Sequence, residues 1–138
     1  MEAIVLVGVQ GAGKSAWYHA NCRDTHLRLN LDMLRTRNRE NILLHACLAA
    51  VQPFVVDNTN PTAKGRRRYV ELAKAAGFRV NAVVFRISLD EALSRNAQRT
   101  GRARVPDVAI RGTCAKLEPV TWAEGFDEIT WVDVEADD

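Results

Sequence analysis

The segment Gly8-Val9-Gln10-Gly11-Ala12-Gly13-Lys14-Ser15 constrains this chain more than any other part of it. It fits the pattern Gly-x-x-x-x-Gly-Lys-Ser/Thr without a mismatch, and it directly follows the short apolar run Ile4-Val5-Leu6-Val7. A continuous apolar run ending in glycine reads as a parallel strand buried on both faces. Glycines at these positions let backbone N–H groups turn inward around phosphate oxygens. The helix expected after Gly13 adds its N-terminal dipole and its free donors. In this reading Gly8, Gln10, Gly11, Ala12, Gly13, Lys14, Ser15 and Ala16 cradle a nucleotide, Lys14 reaches the β- and γ-phosphates, and the Ser15 hydroxyl faces Mg²⁺. A strand that feeds a phosphate loop and then a helix belongs to an open α/β fold, which excludes all-β and all-helical architectures.

The rest of the chain repeats the alternation. Strands are expected at Leu27–Leu29, Phe54–Val56, Val80–Ile87 and Ile129–Val132. Helices are expected from Gly13 to about Cys22, over Glu40–Val51, from a Thr62 cap to Ala76 with Gly77 as the stop, from Ser88 or Asp90 to near Thr100-Gly101, and from Pro106-Asp107 toward Lys116. The helix over Glu40–Val51, apolar almost all round, is expected to be buried. Strands joined by helices imply right-handed crossovers and one parallel sheet flanked by helices. At 138 residues the expected unit is a single domain, 1–138, with a basic lid near 95–105 and an acidic tail over 135–138.

Charge is distributed unevenly. Eight of the 17 acidic residues lie from Glu118 onward, where there is no Lys or Arg, so nine acids face 19 bases in residues 1–117, a net of +10. Lys14, Lys64, Lys74 and Lys116 are the four lysines, leaving 15 arginines. Arginine offers a planar fork that matches phosphate, so this basic body fits phosphate-rich ligands, and from charge alone it fits a solvated basic face equally well. Cys22, Cys47 and Cys114 are far apart and odd in number, which implies neither a disulfide framework nor a metal cluster but reduced thiols in a cytoplasmic protein. No apolar run has the length of a membrane span, and no secretory leader is expected.

Phosphoryl transfer to an alcohol requires a carboxylate beside the acceptor hydroxyl and positive charge around the moving group. Asn30-Leu31-Asp32-Met33-Leu34-Arg35 follows the second strand, at the carboxyl edge where ligands bind in such sheets. In a helix starting near Asn30, Asp32 and Arg35 stand at i and i+3 and share a face, Asp32 to accept a proton and Arg35 to grip an acceptor phosphate. Asp32 could equally do no more than support the helix start. Arg95 and Arg99 stand at i and i+4 on the helix that leads into the basic loop, either to face the triphosphate when that segment closes as a lid or as a solvated helix face. Arg66-Arg67-Arg68 cannot share one face and is read mainly as solvated helix surface.

These blocks, in this order, resemble the kinase domain of polynucleotide 5′-hydroxyl kinases within the broader P-loop kinases. The resemblance runs over nearly the whole chain: the loop with Ala16-Trp17-Tyr18, Asn30-x-Asp32-x-x-Arg35, Val55-Val56-Asp57-Asn58-Thr59-Asn60-Pro61, Arg95-Asn96-x-x-Arg99, Val105-Pro106, and Glu118-Pro119 through Glu124-Gly125-Phe126-Asp127-Glu128-Ile129. It implies ATP (or another NTP) and Mg²⁺ as cofactors, and 5′-OH ends of DNA or RNA as acceptors in nucleic-acid repair. It implies Asp32 as general base, Arg35 on the acceptor's 3′-phosphate, and Arg99 on the donor phosphates with Arg95 assisting. Asn58 and Thr59 would lie on the acceptor side. Either Asp57 or Asn58 would orient metal-bound water or the acceptor strand, or the two would equally serve to shape the turn, and Pro119 would lie near the nucleotide base. Two features depart from the pattern: Leu31 stands where members often carry Arg, and no Asp-x-Asp-x-Thr phosphatase motif occurs, so a phosphatase or ligase would be a separate partner or another domain of a longer protein. Two other functions fit the loop, a small-molecule kinase and a nucleotide-binding regulatory NTPase.

Overall fold

The computed structural model describes residues 1–134; the acidic stretch 135–138 lies outside the described residues. Five strands form one fully parallel sheet: β1 (Glu2–Val7), β2 (Leu27–Leu29), β3 (Phe54–Val56), β4 (Arg79–Arg86) and β5 (Glu128–Asp133), in the order β2-β3-β1-β4-β5. β1 is central. It pairs with β3 through Ala3↔Phe54 to Val5↔Val56 and with β4 through Glu2↔Arg79 to Val7↔Val84. Ala3 through Val7 are all buried, the run expected of a strand covered on both faces.

Among the described residues six α-helices flank the sheet: α1 (Lys14–Asn21), α2 (Leu31–Leu34), α3 (Arg37–Ala50), α4 (Ala63–Ala75), α5 (Leu89–Ala97) and α6 (Asp107–Lys116). Alternate residues of the central strands feed two cores. Ala3, Val5, Val7 and Phe54 pack with Leu44 and Cys47 of α3 and with Tyr69, Val70 and Ala73 of α4. Ile4, Leu6, Val55 and Phe85 pack with Tyr18 of α1, Ala92 of α5 and Ile110 of α6. Side-chain caps fix the starts of four helices, with Asn30, Thr36, Thr62 and Ser88 each accepting a bond from a backbone N–H in the first turn.

Three expectations change. α3 is amphipathic rather than buried all round: Glu40, Leu44 and Cys47 face inward, while Asn41, Ile42, His45 and Ala46 are exposed. α2 is a single turn ending at Leu34, so Arg35 caps it instead of continuing it. α5 ends at Ala97, so Arg99 stands beyond its C-cap Gln98 and shares no helix face with Arg95.

Arg66 is a fourth correction, since it is no solvated residue. It is 0% exposed and each of its three guanidinium nitrogens donates a hydrogen bond. Its Nε donates to Glu124 at 2.7 Å, its Nη1 to the Asn60 carbonyl at 2.9 Å, and its Nη2 to the Glu118 and Pro119 carbonyls at 3.3 Å each. Burial alone would raise the Glu124 carboxyl, but bonds from Arg66 and from the Thr121 N–H hold it below its usual range. Arg68 leaves the solvated reading too, pairing with buried Glu40 at 3.4 Å, whereas Arg67 is exposed as expected.

Candidate active site

The loop emerges from the carboxyl end of β1 between two fixed points. The Gly8 N–H donates to the Thr59 carbonyl at 3.1 Å, which ties the loop to the polar turn after β3. A Cβ on Gly8 would lie 3.0 Å from the Phe85 Cβ and 3.3 Å from the Phe85 carbonyl oxygen, so a larger residue there requires β4 to give by a few tenths of an ångström. Gly13 caps α1 with φ 96°, a conformation an L side chain rarely takes.

Lys14 is 9% exposed, and its Nζ donates to the carbonyls of Gly8 and Val9 at 2.7 and 2.8 Å. Burial pushes its ammonium down from 10.5 to about 8; Asp57 and Asp32 pull it back up, and Arg99 adds to the lowering. Four charges from four separate chain segments are therefore within electrostatic reach of one another.

One cavity of about 580 Å³ joins these segments. It is lined by Gln10, Gly11, Gly13, Lys14, Ser15 and Ala16 from the loop, by Asn30, Leu31 and Asp32, by Asp57, Asn58 and Thr59, and by Arg99, Arg102, Ala103 and Val105. Loop, carboxylate and two cations thus face a common space. Gly8 and Ala12 contribute to the loop's frame from its buried side.

Other expected site residues fall elsewhere. Arg35 is exposed and does not line this cavity; its φ of 76° and ψ of −33° put a non-glycine residue in a sparsely populated region. Arg95 does not line it either. Its Nε donates to Glu91 at 3.1 Å, and its Cβ would lie 3.9 Å from a Cβ on Gly11. Pro119 lines a second cavity, also about 580 Å³, with Val9, Leu89, Cys114, Leu117 and Trp131 among its walls. The two cavities meet the loop at the consecutive residues Val9 and Gln10.

The sequence reading gives no role to Asn30, Glu40, Asn96 or Arg28, whereas Asn58, expected on the acceptor side, also braces the turn. Asn30 does two jobs: its Oδ1 accepts from the Met33 N–H at 2.9 Å and its Nδ2 donates to the Asp57 carbonyl at 2.6 Å. Asn58 accepts from the Leu31 N–H at 2.9 Å and donates to Glu40 at 3.0 Å, so the turn holds the start of α2, and with it Asp32. Glu40 itself is fully buried and takes a 2.6 Å bond from the Tyr69 hydroxyl, whose pKa burial and this carboxylate push up to about 12. Asn96 clasps the segment that carries Arg99 and Arg102, bonding both the N–H and the carbonyl of Val105 and the side chain of Asp107. Arg28, from β2, reaches Asp57 at 2.7 Å and Ser15 at 2.9 Å.

Ser15 Oγ and Asp57 Oδ2 stand 3.0 Å apart beside the loop. A hydroxyl and a carboxylate are the hard oxygen donors Mg²⁺ takes when it also keeps water and phosphate ligands, so this pair fits the ion. No cluster of three or more His, Cys, Asp or Glu side chains able to hold a metal occurs among the described residues. Nor is any helix among them long and apolar enough to cross a membrane.

A family model described as AAA domain matches residues 33–120, more than half the chain. That match begins after the phosphate loop, so the two observations are independent. The bifunctional polynucleotide phosphatase/kinase of Schizosaccharomyces pombe is 25% identical over 132 residues, 93% of this chain and 32% of the relative. The chain thus spans about a third of the length of the curated relative it matches. Among solved structures, a gluconokinase from Sinorhizobium meliloti superposes with a TM-score of 0.68 at 21% identity, covering 99% of this chain and 84% of the other. A putative kinase from Chloroflexus aurantiacus gives 0.71 at 15%, over 96% and 84%. Kti12 of Chaetomium thermophilum, solved with ADP-AlF3, gives 0.67 at 15%, over 98% and 90%. At these identities the likeness is one of fold: the parallel sheet and its flanking helices are shared with these structures.

Proposed function

The chain belongs to the AAA domain family, and from that premise we propose that it is an ATP-dependent kinase that phosphorylates the 5′-hydroxyl ends of polynucleotides. The observation that carries the reading is the single cavity shared by the phosphate loop, Asp32, Arg99 and Arg102. A donor phosphate chain on the loop N–H groups competes with the Gly8 and Val9 carbonyls for Lys14. Arg99 and Arg102 neutralise charge from the opposite wall, where a segment closing like a lid would bring them. Asp32, exposed at the start of α2, takes the proton of the attacking hydroxyl. Ser15 and Asp57 would hold Mg²⁺, and the ion, when bound, would supply charge neutralisation to the donor phosphates. The base of the donor is assigned to the second cavity, against Pro119 and Trp131.

The polynucleotide acceptor is supported by the relative named above, a polynucleotide phosphatase/kinase, and by Arg35. Its unusual backbone conformation, at the end of the turn that carries Asp32, is the kind of cost kept where a side chain must be aimed. A phosphate held by Arg35 would set a neighbouring 5′-hydroxyl near Asp32. Phosphatase or ligase chemistry, if it accompanies this reaction, would come from another protein or domain.

Transfer of labelled γ-phosphate onto a panel of acceptors tests this. A 5′-hydroxyl oligonucleotide and a nucleoside 3′-monophosphate should be labelled far better than the unphosphorylated nucleoside. Arg35→Ala should remove most of that preference, roughly ten- to a hundredfold for one charge-assisted contact. A small-molecule kinase is the second reading, favoured by the fold likeness to a gluconokinase and by the position of Arg35 outside the cavity. Labelling of gluconate or another small alcohol, with none of any oligonucleotide, would establish it in place of the first.

A further inference from the structure

Arg28 occupies a position that the reaction scheme above does not use. It lies in the three-residue edge strand β2, whose register sets Arg28 opposite Val55 and Leu29 opposite Val56. The Asp57 N–H then bonds the Leu29 carbonyl at 2.8 Å, so the ladder itself brings Asp57 beside Arg28. The guanidinium is 5.9 Å from the centroid of the Tyr18 ring on α1, and Tyr18 is anchored by a 2.6 Å bond from its hydroxyl to the His26 carbonyl. From this seat Nε donates to Asp57 Oδ2 at 2.7 Å and Nη2 to Ser15 Oγ at 2.9 Å, while Ser15 Oγ donates to the same Asp57 oxygen at 3.0 Å.

The three side chains form a closed triangle. The Asp57 side chain is 2% exposed, so its charge needs a partner, and Arg28 is the cation bonded to it. Both oxygens of the triangle are the ones fitted to Mg²⁺. A carboxylate oxygen that accepts a 2.7 Å bond from a guanidinium has a full positive charge in the direction a second cation would use. A divalent ion and Arg28 therefore compete for one pair of oxygens.

Resting on the reading of Ser15 and Asp57 as the metal-facing pair, we infer that Arg28 is an internal counter-cation that exchanges with the divalent metal. It keeps Asp57 charged and Ser15 aimed, and it releases Ser15 Oγ and Asp57 Oδ2 when the metal arrives with the nucleotide. Arg28 thereby lowers the protein's affinity for divalent ions, and metal uptake depends on the phosphate groups that come with it. Arg28 is a positioning residue, since it acts on the metal-facing oxygens and not on the reacting atoms.

The exchange is tested by titrating Mn²⁺ into the ADP complexes of the wild type, Arg28→Gln and Arg28→Lys, reading free Mn²⁺ by its paramagnetic resonance signal. The same three proteins are melted in EDTA and in Mg²⁺. Glutamine removes the competing charge, so Mn²⁺ should bind that variant about ten- to a hundredfold more tightly, the equivalent of one charge-assisted contact. Lysine keeps a charge but not the two-pronged grip, and should fall between. In EDTA, Arg28→Gln should melt below the wild type, and Mg²⁺ should recover more stability in the variant than it adds to the wild type. Equal Mn²⁺ affinity in all three proteins overturns the exchange and leaves the metal site standing. Weaker Mn²⁺ binding in both variants overturns it too, by showing that Arg28 shapes the site instead of competing for it. If the glutamine variant does not fold, the lysine variant carries the test: affinity no tighter than wild type overturns the inference. If ADP binds all proteins and Mn²⁺ binds none, the metal reading of Ser15 and Asp57 falls as well.

Discussion

Nucleotide affinity should fall with rising pH in a range where few proteins change, because of Lys14. A phosphate chain stabilises only the charged form of that lysine, and in the free protein burial lowers its pKa to about 8. At pH 7 about nine-tenths of the free protein carries the charge and at pH 9 about one-tenth, whereas bound phosphates keep the lysine charged throughout. The apparent affinity should thus drop about tenfold between pH 7 and 9, with one proton taken up per nucleotide at the upper end.

The same shift governs stability, with a definite sign. The folded pKa lies below the unfolded one of 10.5, so the unfolded chain binds more protons between about 8 and 10.5, and the free energy of unfolding rises with pH across that window. Below 8 the cost is complete, roughly 3 kcal/mol for a shift of this size. Lys14→Met should gain relative to the wild type at pH 7, and the gain should shrink above pH 8 and be gone by about 10.5. Calorimetric titration with ADP in buffers of different ionisation enthalpy reads the proton uptake, and urea denaturation of the two proteins reads the stability difference. Affinity that stays flat from pH 7 to 9.5, or a slope equally present in Lys14→Met, would refute the argument.

Three further outcomes are expected. Asp32→Asn keeps the shape of the side chain and removes the base, so transfer should fall by about 10²–10⁴ while ADP affinity is unchanged; loss of ADP binding would assign Asp32 a structural role instead. Arg99→Ala should lower saturating turnover to the same degree on every acceptor, because it faces the donor phosphates; a change confined to acceptor KM would place it on the other side of the cavity. Arg66→Met strands Glu124 beside a buried surface and should cost about 3–5 kcal/mol in urea denaturation. The wild-type pair itself should weaken as pH falls below the usual carboxylate range, since Glu124 is held below it and its contribution is present only while it is ionised.

The sequence yields the parts of this site that are contiguous. The phosphate loop is legible because its geometry is set by glycines within eight residues, and the strands because apolar runs and caps are local signals. Arg28 was missed because Leu27-Arg28-Leu29 looks like an ordinary edge strand; its meaning comes from Ser15 and Asp57, 13 and 29 residues away. Arg66 was misread because three consecutive arginines look solvated until Glu124 closes over one of them from 58 residues further on. The ends of α2 and α5 were overextended because helical spacing of Asp32 with Arg35 and of Arg95 with Arg99 says nothing of where a helix stops. Arg35 in a left-handed conformation carries no residue-type signal at all, since such positions usually announce themselves with glycine or asparagine.

The place of β1 in the sheet has a consequence for how the protein is made. β1 is the first strand of this sheet in chain order and the innermost, with both edges waiting for partners: residues 54–56 on one side and 79–86 on the other. While the ribosome is still short of residue 79, one edge of a strand that is apolar from Ala3 to Val7 has nothing to pair with, the kind of open edge that invites aggregation. The phosphate loop hangs from that strand and is pinned by Thr59, so it acquires its shape only when the strands on both sides have arrived. Nucleotide retention by ribosome-bound chains of increasing length would therefore date the completion of the sheet, with the loop acting as the protein's own reporter of its assembly.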